Sequence, residues 1–329
     1  MAETGHSPTS DWAPFRVEPY YDPRVWGFND LRPWYSYVGA EPIGEVWLTG
    51  DQCIVATGPH AGKPLGALFS EASEALLGPG APSAESPLLI KVIFAREKLS
   101  VQVHPDDTLA RKFGEPHGKT ECWYVLSADP GAQVAVGLKP GVTLDQVREE
   151  IHSGTLEESL NPLPISAGDV VLMDAGTVHA IWPGSILLET QQNSDLTYRL
   201  YDYGRPRELH IEKGLEAVRL TTRSGRIPRR ELVDRTLLID EKYFRLERFP
   251  VSGSRSSASL RADGDPARSL AWLFAAGGAG RITGPDFQAV DLPVRTIAAV
   301  PAASPEFAVE DLGGLDLIRI TPHWPGVTP

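Results

Sequence analysis

Two histidines, a glutamate and a glutamine could together bind a metal ion, and they occur in three short segments: Gln102, His104, Glu121 and His179. The first segment, LSVQVH, alternates polar and apolar residues with period two, which predicts a β-strand. Successive side chains of a strand point to opposite faces, so Ser100, Gln102 and His104 share one face. Val101 and Val103 take the other face, which we expect to be core. Three polar side chains in a row would line a polar cavity if this face points into a barrel.

The second segment, GKTECWYVL, places a glutamate at the start of an apolar strand. Lys119 and Glu121 share one face, whereas Thr120 and Cys122 take the other. A carboxylate is costly to bury unless it is paired or coordinates a metal ion, so Glu121 needs a partner. Cys122 is expected to be a small buried side chain.

The third segment, GDVVLMDAGTVH, predicts a strand that enters a glycine turn and ends at His179. Alone, a histidine after a turn is more often a surface residue than a ligand. Together, however, the four side chains supply two imidazole nitrogens and two oxygens, which suits one Zn²⁺ ion with a position left for substrate.

The elements around these residues predict a mostly β protein with a small helical insert. The region from about residue 42 to 138 consists of short segments broken by Gly, Pro and Asp, among them the apolar strand Leu88–Phe94. A helix is predicted over Thr143–His152, because a Thr start precedes apolar residues at helical spacing and Gly154 ends it. A further turn near Glu157–Leu160 completes an insert of about residues 143–164 before the strand Gly168–Met173.

A second, smaller β domain is predicted after about residue 230, where Ala, Gly, Ser and Pro separate three short apolar runs: residues 271–276, 295–300 and 315–320. Its single histidine is His323, and it has no cluster of residue types that bind metals, so we expect this domain to be structural. The predicted domains are therefore 1–229, which bears the metal, and 230–329. Two successive β domains are compatible with a diverged duplication.

Composition excludes several classes of protein. The 329-residue chain is 42% hydrophobic, as expected of a globular protein, and no apolar stretch approaches the length of a membrane-spanning helix. The opening MAETGHSPTSDW lacks the features of a signal peptide, so we expect a cytoplasmic protein. A net charge of −12 disfavours nucleic acid as a partner, and two cysteines do not make a disulfide framework.

The chain resembles the type I mannose-6-phosphate isomerases, in their shorter bacterial form. The resemblance rests on four stretches in order, LSVQVHPDD, GKTECWYVL, GDVVLMDAGTVHAI and LLETQQNSDLTYRLYDYGR, and on GFNDLRPWYSYVGAEPIGEVW near the start. It runs from about Val25 to Glu212. It implies a double-stranded β-helix, or cupin, barrel with a helical insert, followed by a degenerate cupin-like domain without a metal site.

The resemblance also implies roles for individual residues. Gln102, His104, Glu121 and His179 are similar to the family's zinc ligands. Roles in catalysis or substrate binding are implied for five further positions: Lys119, Glu189 and Arg199 as catalytic residues, and Ser100 and Arg205 as contacts to phosphate. Asp174 departs from the family, which usually carries Pro in the turn before the histidine ligand. After Pro105, Asp106 and Asp107 are interpreted as turn residues.

The activity that follows is interconversion of mannose 6-phosphate and fructose 6-phosphate through a cis-enediol. Arg199 would stabilise the negative charge of that intermediate, and either Lys119 or Glu189 could carry the proton. The alternatives are an isomerase of an unphosphorylated sugar, a non-catalytic metal-bearing sugar-binding protein and an iron oxidoreductase; Gln102 as a fourth ligand disfavours iron. The sequence leaves open the preferred hexose phosphate, the direction of reaction and the choice between monomer and homodimer.

Overall fold

The computed structural model describes residues 10–81, 84–261 and 269–323. Residues 1–9, on which part of the signal-peptide expectation rests, lie outside this range. The helices are α1 (Leu65–Leu77), α2 (Asp107–Lys112), α3 (Leu144–Ser153), α4 (Ile211–Ala217) and α5 (Ser257–Leu260), with a 3₁₀ helix at Leu156–Ser159. None of the helices within the described ranges combines the length and the apolar character needed to cross a membrane.

The strands are the commonest regular element of the described chain, and there are far more of them than helices. The first twelve are β1 (Phe15–Glu18), β2 (Tyr20–Asp30), β3 (Val38–Trp47), β4 (Ile54–Val55), β5 (Leu88–Ala95), β6 (Val101–Val103), β7 (Glu121–Ala128), β8 (Gln133–Leu138), β9 (Leu160–Pro164), β10 (Val170–Met173), β11 (His179–Ile181) and β12 (Ser185–Gln192). The others are β13 (Tyr198–Tyr201), β14 (Gly225–Arg226), β15 (Arg230–Glu231), β16 (Thr236–Asp240), β17 (Phe244–Pro250), β18 (Ser254–Ser256), β19 (Ala271–Gly277), β20 (Gly280–Thr283), β21 (Val290–Leu292), β22 (Ile297–Val300), β23 (Ala308–Asp311) and β24 (Asp316–Pro322). The prediction of a mostly β fold is confirmed.

The chain forms two compact units. The site unit comprises residues 21–46 and 88–228, and the second unit comprises the described residues of 10–20, 47–87 and 229–323. The predicted division also falls near residue 229, but the structure groups two N-terminal segments with the C-terminal residues. Strand pairing explains this grouping, because β1 pairs with β22 in the register Phe15↔Ala299.

The site unit is built from two sheets that face each other across an apolar core. One sheet has seven strands in the order β14-β10-β7-β12-β5-β3-β2, and the other has five in the order β13-β6-β11-β8-β9. Trp26, Trp123 and Leu187 from the larger sheet pack in one cluster with Val134 and Ile181 from the smaller one. Polar residues on the same inward faces therefore point into the space between the sheets.

The helical insert covers the outer face of the five-stranded sheet. Val101 and Val103 are completely buried in a cluster with Val147 and Ile151 of α3. The helix begins where the sequence predicts, because the Thr143 side chain accepts a hydrogen bond from Gln146 N, and it ends at a left-handed residue, Gly154. The inward polar face and outward apolar face predicted for this strand are thus confirmed.

The second unit contains an eight-stranded sheet, β15-β16-β17-β24-β19-β22-β1-β4, and a four-stranded sheet, β18-β23-β20-β21. Its core includes Phe249, Leu273 and Leu317. The three apolar runs predicted as strands correspond to β19, β22 and β24. The unit also contains α1, a helix kinked at Ala72, in a region where the sequence analysis expects short sheet-forming segments; Leu65, Leu68 and Phe69 on one side of the kink and Leu76 and Leu77 on the other are buried.

Candidate active site

Gln102 stands at the centre of a row of three polar side chains on the five-stranded sheet. In the antiparallel pairings of β6, it lies opposite His179 of β11 on one side and Arg199 of β13 on the other. Residues directly opposite each other in a sheet present their side chains on the same face, so the register alone brings these three together. His104, two residues further along, extends the row on the same face.

Glu121 reaches this row from the first position of β7, in the opposite sheet. Its two carboxylate oxygens lie 3.5 Å from His104 Nε2 and 3.5 Å from His179 Nε2. All three side chains are at most 2% exposed. The ligand atoms of His104, Glu121 and His179 lie within 4.8 Å of one another, which makes the cluster a possible metal site.

The hydrogen bonds of the histidines leave the atoms that face Glu121 available for a metal ion. His104 Nδ1 donates to Leu196 O at 2.8 Å and His179 Nδ1 donates to Thr177 O at 2.9 Å. A metal-binding histidine commonly uses its second nitrogen in this way. His104 Nε2 and both Glu121 oxygens have no hydrogen-bond partner among the described residues although they are buried.

The spacing of these atoms fits a tetrahedral ion. Ligands at about 2.1 Å from a tetrahedral zinc ion are about 3.4 Å apart, close to the two 3.5 Å histidine–glutamate separations. Gln102 Nε2 lies 3.2 Å from His179 Nε2. Exchange of the amide oxygen and nitrogen by a half-turn would direct Oε1 to the same point, so glutamine fits as the fourth ligand.

Electrostatics keep both imidazoles neutral, as metal ligands must be. Burial lowers the pKa of His179 to about 4. Burial, followed by the charge of Lys119, lowers the pKa of His104 well below its ordinary value.

Lys119 lies beside the cluster because hydrogen bonds and a close backbone contact fix the segment that carries it. Its ammonium is 3.2 Å from Glu121 Oε2, and its backbone N–H donates to Pro105 O. A Cβ on Gly118 would stand 2.5 Å from the Asp107 backbone nitrogen, so the close approach here requires glycine.

Asp107 and Gln192 also hold the segment that carries Lys119. The Asp107 carboxylate accepts hydrogen bonds from Gly118 N at 3.0 Å and Gln192 Nε2 at 2.9 Å. Gln192 Oε1 accepts one from Thr120 N at 2.9 Å. The interpretation of Asp106 and Asp107 as turn residues is wrong, because the two acids begin helix α2: Asp106 caps it through Leu109 N and Asp107 is its first residue. Asp107 also joins three segments of the site unit.

Glu189 lines the same cavity as Lys119, but its partners are different. Its Oε1 accepts a hydrogen bond from Trp123 Nε1 at 3.0 Å, and its Oε2 lies 3.2 Å from Lys91 Nζ. Lys91 and Trp123 are its direct neighbours on β5 and β7. Burial and the charge of Glu121 raise the pKa of Glu189, and Lys91 opposes that shift. A raised carboxyl pKa is typical of a group that exchanges protons.

A buried ion-pair network that the sequence prediction does not include surrounds Glu189. Lys91 is 2% exposed, and its Nζ lies 3.0 Å from Glu45 Oε2. Glu45 Oε1 also forms an ion pair with Arg24 Nε at 3.2 Å. The pKa of Lys91 is raised because Glu189, Glu45 and Asp195 outweigh the cost of burial. The sequence signal is the lysine in the otherwise apolar strand LLIKVIFA, but its partners come from other strands.

A cavity of about 230 Å³ in the site unit lies next to the histidine–glutamate cluster, and Gln102 and Lys119 belong to its lining. Five cations and three anions line it: Arg24, Lys91, Lys119, Arg199 and Arg207, with Glu45, Glu189 and Asp195. Ser100 and Gln102 also contribute. Three of these cations are also paired with carboxylates just outside the lining: Arg24 with Asp22, Lys119 with Glu121 and Arg207 with Asp202. The lining is therefore densely charged, and Arg199 is a cation of the lining whose Nε is buried without a hydrogen-bond partner among the described residues.

Arg199 and Ser100 line the cavity, whereas Arg205 is not among the described residues that line it. Arg205 instead pairs with Asp202 at 3.2 Å and with Glu97 at 3.3 Å. Arg207, which the sequence prediction does not include, lines the cavity in its place. The turn that carries Asp174 is held by Thr177, whose N–H donates to Asp174 O at 3.1 Å, two residues before His179.

Comparison with known proteins identifies one family. Residues 16–138 match the model of the phosphomannose isomerase type I catalytic domain. Mannose-6-phosphate isomerase of Streptococcus mutans is 35% identical over 255 residues, which cover 73% of this chain and 80% of that protein. Mannose-6-phosphate isomerase ManA of Bacillus subtilis is 35% identical over 263 residues, 74% of this chain and 81% of its own length.

The fold matches the same group. The crystal structure of mannose 6-phosphate isomerase from Bacillus subtilis superposes with a TM-score of 0.82 at 30% identity and covers 94% of this chain and 99% of that one. The predicted cupin-type fold is thereby confirmed. The family-model match spans β1 to β8 and includes Gln102, His104, Lys119 and Glu121, whereas His179 and Arg199 lie beyond it.

Proposed function

Since the chain belongs to the type I phosphomannose isomerase family, we propose that it is a zinc-dependent aldose–ketose isomerase that interconverts mannose 6-phosphate and fructose 6-phosphate. The observation that carries the proposal is the buried cluster of His104, Glu121 and His179 next to a cavity that Lys119 and Arg199 line. Family membership supports the substrate, and the donor set supports the metal.

One zinc ion per chain would be held by the two histidines, Glu121 and Gln102. Two neutral imidazoles, one carboxylate and one amide oxygen are donors that zinc accepts in four-coordinate sites. His104 Nε2 and Glu121 Oε1, which are buried and have no hydrogen-bond partner among the described residues, support a cation there. When bound, the ion supplies positive charge that polarises the sugar carbonyl and favours the charged cis-enediol.

The protein's own residues would carry the rest of the reaction. Moving a proton between C1 and C2 requires an acid or base in the cavity, and Lys119 and Glu189 are the two candidates. Glu189 has the raised pKa, whereas Lys119 lies closer to the metal cluster. Arg199 lies in the row opposite Gln102, where a fixed positive charge would stabilise negative charge developing on the enediol oxygens.

The lining of the cavity favours a phosphorylated sugar over a free one. A phosphate monoester carries about −1.5 to −2 at neutral pH, which complements the guanidinium donors of Arg199 and Arg207 in the lining that make no hydrogen bond to a described residue. An isomerase of an unphosphorylated sugar would not need these donors. A sugar-binding protein without activity would need neither Glu189 nor Lys119 as proton carriers.

A coupled assay with mannose 6-phosphate, run beside free mannose on metal-replete protein, tests the proposal. We expect turnover of mannose 6-phosphate with kcat/KM at least on the order of 10² above that for mannose. Turnover of free mannose at equal efficiency would reassign the protein to unphosphorylated sugars. If the protein binds either sugar without turning it over, it is a non-catalytic sugar-binding protein. The cytoplasmic location stays a prediction, and monomer and homodimer both stay open.

A further inference from the structure

The segment from Asp202 to His210, the arginine loop, reverses the chain after β13. Arg205 N donates to Asp202 O at 3.0 Å, and the two residues between them, Tyr203 and Gly204, have φ of 55° and 78°. Two successive left-handed residues are typical of a tight reversal. The chain therefore returns along β13 instead of continuing away from it.

The returning part of the arginine loop is tied to Arg199. His210 N donates to Arg199 O at 2.8 Å, and Arg199 N donates to His210 Nδ1 at 3.2 Å. The Arg199 side chain donates from Nη1 to Glu208 O at 2.8 Å. These three bonds fix the part of the loop that lies just after Arg207 against the strand that enters the active site.

Arg207 is held in one orientation by a buried carboxylate. Its Nε donates to Asp202 Oδ2 at 2.6 Å and its Nη2 donates to Asp202 Oδ1 at 2.7 Å, a two-bond fork. Asp202 is 2% exposed. Such forks fix both distance and plane, so the third nitrogen, Nη1, has a defined position. Nη1 has no protein partner among the described residues.

Arg205 offers a natural comparison because it is similarly exposed and also contacts Asp202. Its two terminal nitrogens are, however, both engaged, one by Asp202 and one by Glu97, and its guanidinium lies 5.8 Å from the Tyr203 ring centroid. It does not line the cavity, whereas Arg207 lines it together with Ser100 and Arg199. The tight reversal thus turns Arg205 away and brings the arginine two positions later to the site.

Arg199 and Arg207 are close enough to repel each other. Burial and then the charge of Arg207 lower the pKa of Arg199. Asp202 compensates Arg207 in part, but Arg199 Nε is buried without a hydrogen-bond partner among the described residues. Arg199, Arg207 and Ser100 line the same cavity, and the two guanidinium groups have unused donors, which match the oxygens of a phosphate group.

We propose that Arg207, oriented by Asp202, is the residue that binds the 6-phosphate of the substrate and makes the enzyme specific for phosphorylated sugars, and that Arg205 does not contact the phosphate. This inference rests on the proposed function for the identity of the sugar. Asp202 is a positioning residue, since it acts only through Arg207.

Two alanine variants matched in position and exposure, Arg207→Ala and Arg205→Ala, test this assignment. With mannose 6-phosphate, Arg207→Ala should lower kcat/KM by about 10- to 100-fold, the range for a lost charged hydrogen bond. Its kcat/KM for free mannose should stay within about threefold of wild type, because that substrate has no phosphate. Arg205→Ala should leave both values within about threefold. Equal losses in the two variants, or a larger loss for Arg205→Ala, overturn the assignment.

Asp202→Asn and Arg207→Lys separate charge from orientation. Asp202→Asn keeps Arg207 but weakens its fork, so KM for mannose 6-phosphate should rise about tenfold while kcat changes less. Arg207→Lys keeps the charge without the planar fork and should recover only part of the lost efficiency. An Arg207→Lys variant with fully normal KM would contradict the need for a fixed fork. Thermal melting of each variant identifies any loss that is due to misfolding.

Binding of glucitol 6-phosphate, which has no carbonyl group to isomerise, tests the inference independently of turnover. Calorimetry should give a Kd for the wild type that Arg207→Ala weakens by about 10-fold or more and Arg205→Ala does not; glucitol itself is the control ligand. If the wild type binds glucitol 6-phosphate through Arg207 but does not isomerise mannose 6-phosphate, the proposed function fails and this inference stands. If the wild type isomerises mannose 6-phosphate and Arg207→Ala binds glucitol 6-phosphate normally, the proposed function stands and this inference fails.

Discussion

Arg199 lies directly opposite Gln102 in the antiparallel pairing of β13 with β6. His179 lies opposite Gln102 on its other side. A guanidinium and two candidate metal ligands therefore extend from neighbouring positions of one sheet face. This relationship places the fixed positive charge of Arg199 on the same sheet face as the candidate metal ligands Gln102 and His179.

Arg199→Ala should lower kcat by on the order of 10² and change KM much less, because the arginine acts on charge that develops only in the transition state. Steady-state kinetics with mannose 6-phosphate measures both constants. Arg199 also holds the arginine loop, so the melting temperature is measured alongside. A folded Arg199→Ala protein with a normal kcat would remove Arg199 from the mechanism.

Replacement of the two histidines of the cluster should abolish metal binding. Elemental analysis of protein purified without added metal should find about one zinc ion per wild-type chain and almost none in the His104→Ala, His179→Ala double variant. His152→Ala, which changes a histidine on the exposed side of α3, is the control and should retain the metal. Full zinc content in the double variant would refute the site.

Asp107→Ala should lower kcat by about tenfold while zinc content stays normal. Its carboxylate holds Gly118 N and Gln192, and hence the segment that positions Lys119; small displacements of a catalytic group reduce turnover strongly. Asp106→Ala is a matched control, since it removes the cap of α2 and should cost about 1 kcal/mol of stability without a comparable loss of turnover. Equal kinetic effects of the two substitutions would contradict a specific role for Asp107.

His210 should make the protein less stable in acid. Burial, with repulsion from Arg199 and Lys213 and partial compensation by Glu208, lowers the pKa of His210 below its ordinary value. The unfolded chain then takes up the proton at about pH 6.5, before the folded one does. The stability contributed by neutral His210 is therefore present above about pH 6.5 and is lost as the pH falls through the lower pKa of the folded state.

His210→Asn replaces the titrating acceptor with an amide oxygen that can still accept from Arg199 N. The decrease in melting temperature between about pH 7.5 and about pH 5.5 should be smaller in this variant than in wild type. The exposed His152→Asn substitution provides the control and should leave the decrease unchanged. A His210→Asn decrease as large as that of wild type would show that His210 does not contribute.

The sequence alone predicts the local features of the site. Alternation in LSVQVH places Gln102 and His104 on one face, and the apolar surroundings of Glu121 indicate a buried carboxylate that needs a partner. The structure agrees on both, and on the helix that begins after Thr143 and ends at Gly154. These features are predictable because a strand's two-residue period and a helix cap are properties of adjacent residues.

Tertiary structure decides the features that depend on which strands pair with each other and on the path of a loop. Lys91 stands out in its apolar strand, but only the register of β5 with β12 pairs it with Glu189. The sequence resemblance points to Arg205, but the chain reverses at Tyr203 and Gly204, and it is Arg207 that lines the cavity. The physical reason is that register and loop closure are set by packing between distant segments, where the burial of charge is balanced by partners that the neighbouring sequence does not contain.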